Sequence, residues 1–169
     1  MINRSLLATA LVLAGSTFMA EGAFANSVDV NFSGTVQGIC SFGNVTNGIL
    51  AAEGMGSPQG AYFLGSTVPG GSAGQVTVSC NQPANLQVTG PTQTAGPGGN
   101  NVGASVSSSY GSVTVGNPVP MLPLGGFNPL FLNPGSTPLS VDLVVAPGNG
   151  QNYVAPGNYG YKVTLTVVP

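Results

Sequence analysis

The chain predicts an all-β sandwich, and three observations carry that expectation. Apolar and polar residues alternate with a period of two near both ends of the chain and again at residues 139–145, the pattern of half-buried strands. Turn formers are dense, with 27 glycines and 14 prolines in 169 residues, and they punctuate the chain into short segments. Beyond the first 25 residues no window has a helical period, so no helix competes with the strands.

The opening residues read as an export signal. Arg4 supplies a positive start, residues 6–17 form an uncharged apolar run, and Ala23-Phe24-Ala25 is a small-x-small cleavage site. Residues 1–25 are therefore expected to be a signal peptide and residues 26–169 the mature chain. The apolar run falls short of the roughly 20 residues that span a bilayer, so no direct membrane insertion is expected. The charged side chains left after cleavage are Asp29, Glu53, Asp142 and Lys162. Such a neutral surface excludes nucleic acid, which needs Lys and Arg against its phosphates, and attraction to an anionic membrane. It is compatible with self-association, since little repulsion keeps copies apart, and equally with a bland extracellular surface.

Residues 26–39 open the mature chain with alternation. Val28, Val30, Phe32 and Val36 share one register with Gly34 and Gly38, while Asp29, Asn31, Ser33, Thr35 and Gln37 occupy the other. Glycine in an apolar register leaves a notch that suits close approach of another backbone. Residues 41–74 read as loops and short strands, with apolar patches at Ile49-Leu50 and residues 62–64. A clear strand follows at residues 75–80, with Val76, Val78 and Cys80 inward, then another at residues 86–89. Residues 90–103, rich in Gly, Pro, Thr and Asn, read as a long connection. Short strands are expected at residues 105–110 and 112–115.

Residues 117–138 place six prolines among Met121, Leu122, Leu124, Phe127, Leu130, Phe131 and Leu132. Proline cannot donate to a strand ladder, so the segment is expected to be an edge or loop. It either folds over the end of the core or exposes Met121, Leu122, Phe127, Leu130 and Phe131 as a contact patch. Residues 139–145 resume alternation, with Leu139, Val141, Leu143 and Val145 inward, and residues 147–150 form a turn. The closing strand then sets Tyr159, Tyr161, Val163, Leu165 and Val167 against Gly160, Lys162, Thr164 and Thr166. The chain stops just after it, so its missing neighbour is expected to come from elsewhere.

Two cysteines, Cys40 and Cys80, in an exported chain predict a structural disulfide rather than a redox pair, which would more commonly be Cys-x-x-Cys. There is no histidine, and the three mature carboxylates are scattered. Neither a Ser-His-Asp triad nor a histidine metal site can be assembled, and no catalytic residue, metal or cofactor is expected. Asp29 and Asp142 both fall in polar registers, which argues against a glycosidase pair. The glycine runs at residues 70–74 and 96–99 lack the Gly-Lys-Ser/Thr of a phosphate loop. The sequons Asn31-Phe32-Ser33 and Asn44-Val45-Thr46 are unremarkable in so Asn-, Ser- and Thr-rich a chain.

A signal peptide, an alternating N-terminal stretch, a cysteine soon after it, a second cysteine 40 positions on and a C-terminal Gly-x-Tyr-x-Tyr strand together resemble the pilins of the chaperone–usher class. The short lead-in to Cys40 is similar to the spore coat U-like domains, which include pilins of the archaic branch. The resemblance implies an immunoglobulin-like sandwich, residues 37–169, that lacks its last strand. It also implies a groove filled first by a periplasmic chaperone and then by the N-terminal extension of the next subunit. Val28, Val30, Phe32 and Gly34 would be the donor positions, and Tyr159, Tyr161, Val163, Leu165 and Val167 one wall of the groove. The implied partners are other copies or related pilins, the chaperone and an outer-membrane usher. The implied location is the cell surface, reached through the periplasm, with a role in adhesion. Residues 26–36 keep two roles open, a donated strand or the first strand of the chain's own sheet. Also open are a self-contained secreted binding module for carbohydrate or another surface ligand, and a coat protein that packs laterally.

Overall fold

The structure, a computed structural model, describes residues 29–54, 60–117, 119, 122, 126 and 128–169. The expected signal peptide, Val28, Met121 and Phe127 lie outside the described residues. The chain divides into two units at Thr35/Val36. In the first, residues 29–35 carry no strand, and each residue is exposed. The alternation at Val30 and Phe32 therefore does not form the first strand of a sheet here. Alternation specifies which residues share a face, but a strand also needs a hydrogen-bonding partner.

The second unit is all-β: among the described residues it holds ten strands and no helix. They are β1 (Cys40–Thr46), β2 (Ala51–Glu53), β3 (Phe63–Gly65), β4 (Gly74–Cys80), β5 (Ala84–Ala95), β6 (Asn101–Ser108), β7 (Gly111–Gly116), β8 (Leu130–Leu132), β9 (Gly135–Ala146) and β10 (Gly160–Val168). The larger sheet is built on β9. One side of β9 pairs with β4 through residues 135–141 and then with β3 at Val144 and Val145; its other side pairs with β6 through residues 140–146. β1 extends this sheet beyond β4, β2 beyond β3 and β7 beyond β6, all antiparallel. The second sheet is the antiparallel set β10-β5-β8.

The two sheets bury their inward registers against one another. Val76, Val78 and Cys80 of β4, Leu86 and Val88 of β5, Val106, Val113, Leu130 and Leu132, and Leu139 of β9 form one cluster. Ala104, Leu143, Val145 and Val154 form a second. Each fully buried aliphatic side chain contributes roughly 1.5–3 kcal/mol relative to exposure. The inward sets expected for β4 and β9 are all found, with Val141 only partly covered. Val144 is buried on the opposite face of β9, because the turn after β3 folds over that face and brings Val68 beside it. Ser66 ties this turn down: its Oγ donates to Asp142 at 2.8 Å and accepts the Leu143 N–H at 3.0 Å.

Two segments expected to be connections are strands. Residues 90–103 contain the second half of β5 and the start of β6; β5 continues through Gly90, at φ +109°, and a cis bond to Pro91, with its register to β10 shifting nearby. A proline fits there because β5 pairs at that point on one side only. In the proline-rich segment Leu130–Leu132 form β8, and β9 already begins at Gly135. Pro138 pairs with Thr77 while the other side of β9 is unpaired until Ser140. The contact-patch reading is corrected at Leu130, which is buried in the core because β8 turns it inward; Phe131, the outward residue of β8, is exposed, and Leu122 is half-buried.

A side-chain amide prolongs β8 along β5. Asn128 Oδ1 accepts the Val88 N–H at 3.2 Å and its Nδ2 donates to the Val88 carbonyl at 2.9 Å, replacing both bonds a strand residue would make.

Candidate functional site

The expected disulfide is present. Cys40 and Cys80 stand directly opposite one another across the β1–β4 ladder, with Cα atoms 4.2 Å apart. It fastens the outermost strand of the larger sheet at its first residue. β1 needs fastening: Cys40 is its one half-buried residue and the rest of the strand is exposed. A bulge with Asn44 at φ +51° shifts the register between Gly43 and Thr46.

The closing strand behaves as its alternation predicts, with one informative difference. Tyr161, Val163, Leu165 and Val167 face inward, as expected, yet all are only half-buried, and Tyr159 lies just before the strand. Among the described residues β10 pairs with β5 alone, and β1 pairs with β4 alone. Each sheet therefore ends on the same side of the sandwich in a strand with one unpaired edge.

Between those edges lies an open cleft of about 710 Å³. Phe42, Val45 and Ile49 line one side, and Tyr159, Tyr161, Val163 and Leu165 the other. Val76, Val141 and Leu143, residues of the sandwich interior, form its floor. Tyr159, Tyr161, Val163 and Leu165, four of the five residues that the resemblance implies as a groove wall, line one side of this cleft; Val167 packs against the main cluster beyond the lining. Sequence reading missed the other side. Phe42, Val45 and Ile49 sit in a stretch of Gly, Asn and Ser with an interrupted alternation, and the bulge at Asn44 is what returns Val45 to the cleft side.

The chemistry of the cleft is that of a backbone and apolar side-chain receptor. Lys162 is its one charged lining residue and lies in the exposed register of β10. No group of three or more His, Cys, Asp or Glu able to hold a metal occurs among the described residues. The Tyr161 ring stacks with that of Tyr159 at 6.4 Å, and the Tyr159 hydroxyl donates to the Ala155 carbonyl at 2.7 Å. Burial raises the Tyr161 hydroxyl above its ordinary pKa, the neighbouring Tyr159 adds to that, and Asn100 opposes it. These contacts hold the aromatic end of the wall as a fixed surface.

Val30 and Phe32, which the resemblance implies as donor positions, are exposed, at 67% and 93%, and a Cβ added at Gly34 would meet nothing within 4 Å. Among the described residues the first unit thus carries exposed apolar side chains at Val30 and Phe32, and the second an open cleft between two strand edges. Comparison with family models, curated proteins and solved structures returns no match for this chain.

Proposed function

We propose that the chain is the structural subunit of a surface pilus, polymerised by donor-strand exchange, with no active site. One observation carries this reading: the cleft opens the sandwich interior between two strands that each keep an unpaired edge. An extended segment laid between β1 and β10 would satisfy backbone groups on both edges and place alternate side chains on Val76, Val141 and Leu143. The segment with matching alternation, Val28, Val30 and Phe32 with Gly34 at a close-approach position, is the occupant, supplied by a second copy; of these Val30, Phe32 and Gly34 are exposed. On this reading the sandwich is immunoglobulin-like and incomplete. A donor arm on one copy entering the cleft of the next is a heterologous contact that does not close, and so builds a filament. A periplasmic chaperone would hold the cleft before assembly and an outer-membrane usher would receive the subunit; adhesion is the role of the finished organelle.

The test uses surface-sheared material from cells making the intact protein or a version lacking residues 26–33, run unheated and boiled on denaturing gels. A ladder of multimers that collapses on boiling and vanishes on truncation is expected. A single monomer band from the intact protein would overturn the reading.

A second reading, a secreted carbohydrate-binding module, is favoured by one observation: the exposed Tyr62 lies against Tyr153 with ring centroids 5.3 Å apart, a tilted aromatic pair of the kind that stacks on sugar rings. A one-to-one sugar site titrated on a monomer would select it.

A further inference from the structure

The residues just before β1 are held by one side chain. Asn81, next to Cys80, accepts the Ile39 N–H on Oδ1 at 2.8 Å and donates from Nδ2 to the Gln37 carbonyl at 2.9 Å. Its own backbone N–H donates to the Ile39 carbonyl at 3.1 Å. Gln37 and Ile39 are both exposed, and residues 36–39 form no strand, so burial does not hold this stretch. The end of the Gln82 side chain lies close over Gly38. The disulfide follows at Cys40. Upstream of Val36 no such bond occurs among the described residues, and residues 29–35 are exposed throughout.

We infer that Asn81 is a clasp that fixes residues 37–39 to the sandwich, and so sets the point in the chain at which the N-terminal arm begins. The arm is tied by a terminal amide that replaces a strand partner at Gln37 and Ile39, the same two-bond use of an amide that Asn128 makes with Val88. The amide binds on the side of β4, which leaves the other edge of β1, facing the cleft, clear. Its consequence for assembly rests on the strand-exchange reading: a tied base places every donated arm at the same exit point, and so fixes the joint between successive subunits. Asn81 is a positioning residue and touches no lining residue of the cleft in any bond described above.

Amide hydrogen exchange on the mature chain, residues 26–169, tests the clasp independently of assembly. In the native chain the Ile39 N–H is expected to be protected while those of residues 30–35 exchange freely. Asn81→Ala is expected to speed Ile39 exchange about tenfold or more, the scale of a lost hydrogen bond. Asn81→Asp keeps the acceptor and is expected to retain that protection, while Ser41 and Phe42 stay unchanged in both variants. Free exchange of Ile39 in the native chain, or equal rates in native and Asn81→Ala, overturns the clasp, and the native measurement decides the matter even if a variant folds poorly. For the role in assembly, Asn81→Ala filaments are expected to bend more readily while an added peptide of residues 26–36 still occupies the cleft. Unchanged bending overturns that role. Failure of the peptide to bind the native chain overturns strand exchange, and the exchange result on Ile39 stands or falls separately.

Discussion

Replacing Cys40 and Cys80 together by Ser probes how the outer wall of the cleft is kept in place. The cross-link joins residues 40 positions apart, and the chain-entropy relation for a loop of that size predicts about 4 kcal/mol of stabilisation through the unfolded state. That is a large share of the 5–15 kcal/mol typical of a domain. The loss should not be felt evenly. β1 pairs on one side only and buries almost nothing apart from Cys40, so without the cross-link it rests on a single bulged ladder with β4. By contrast β9 is paired on both sides and carries Leu139, Val144 and Val145 in the core. Urea unfolding of the oxidised mature chain and the double Ser variant should therefore differ by about 4 kcal/mol. Amide exchange should accelerate most in residues 41–43 and least in residues 141–145. A stability loss below about 1 kcal/mol, or equal acceleration in β1 and β9, would refute the reasoning.

Four further outcomes are expected. Phe32→Asp should abolish multimers while leaving the sandwich folded, because burying the ring contributes roughly 2–3 kcal/mol and burying an unpaired carboxylate costs several more; normal filaments would remove Phe32, and with it the donor assignment. Leu86→Ala should cost about 3 kcal/mol in chemical unfolding, since the side chain is fully buried between the sheets. Asn128→Ala should cost on the order of 2 kcal/mol, because it leaves both backbone groups of Val88 without their partner. Tyr161 titrates above its ordinary value in the folded chain because its ionised form is desolvated. Its contribution is therefore fully present below the unfolded value near 10 and lost as pH rises through the folded one, so a stability–pH curve should fall in that alkaline window. Tyr161→Phe should lack that component of the fall.

What was legible in the chain is what local pattern encodes. The alternation of residues 75–80, 139–145 and 159–167 identified three strands and the correct inward residues, and the two cysteines identified their cross-link. Composition misled at residues 90–103, where Gly90 and Pro91 look like a connection but lie within β5. A proline is harmful to a strand only where its missing N–H faces a partner, and pairing is a non-local fact. The same limit hid β8 in the proline-rich segment, where Leu130 and Leu132 are core and only Phe131 is outward. One wall of the cleft could be read from Tyr161, Val163 and Leu165, whose spacing is regular. The other could not, because Phe42 and Val45 reach a common side only through the bulge at Asn44. Asn81 carried no signal at all, since its partners lie some forty residues away.

β10 brings the local and non-local halves of the problem together. Its alternation is among the most regular in the chain, yet its inward residues are half-buried, whereas Val76, Val78 and Cys80 of the equally regular β4 are buried. Pattern cannot account for that difference, because both strands have the right side chains in the right register. Neighbours can: β4 lies between β1 and β9, while β10 has β5 on one side and the cleft on the other. Leaving apolar residues at a strand edge in water is costly, and an uncovered edge invites unwanted pairing. Among the described residues, the inward register of β10 carries none of the usual protections of an edge: it holds no proline and no charge. On the proposed reading, an edge left apolar and open at this cleft takes an occupant with the same period of two. The exposed segment carrying Val30 and Phe32 has that period, and its own uncovered side chains are the complementary cost. On the proposed strand-exchange reading, joining the two would remove both costs at once, and every copy of the chain would carry both features.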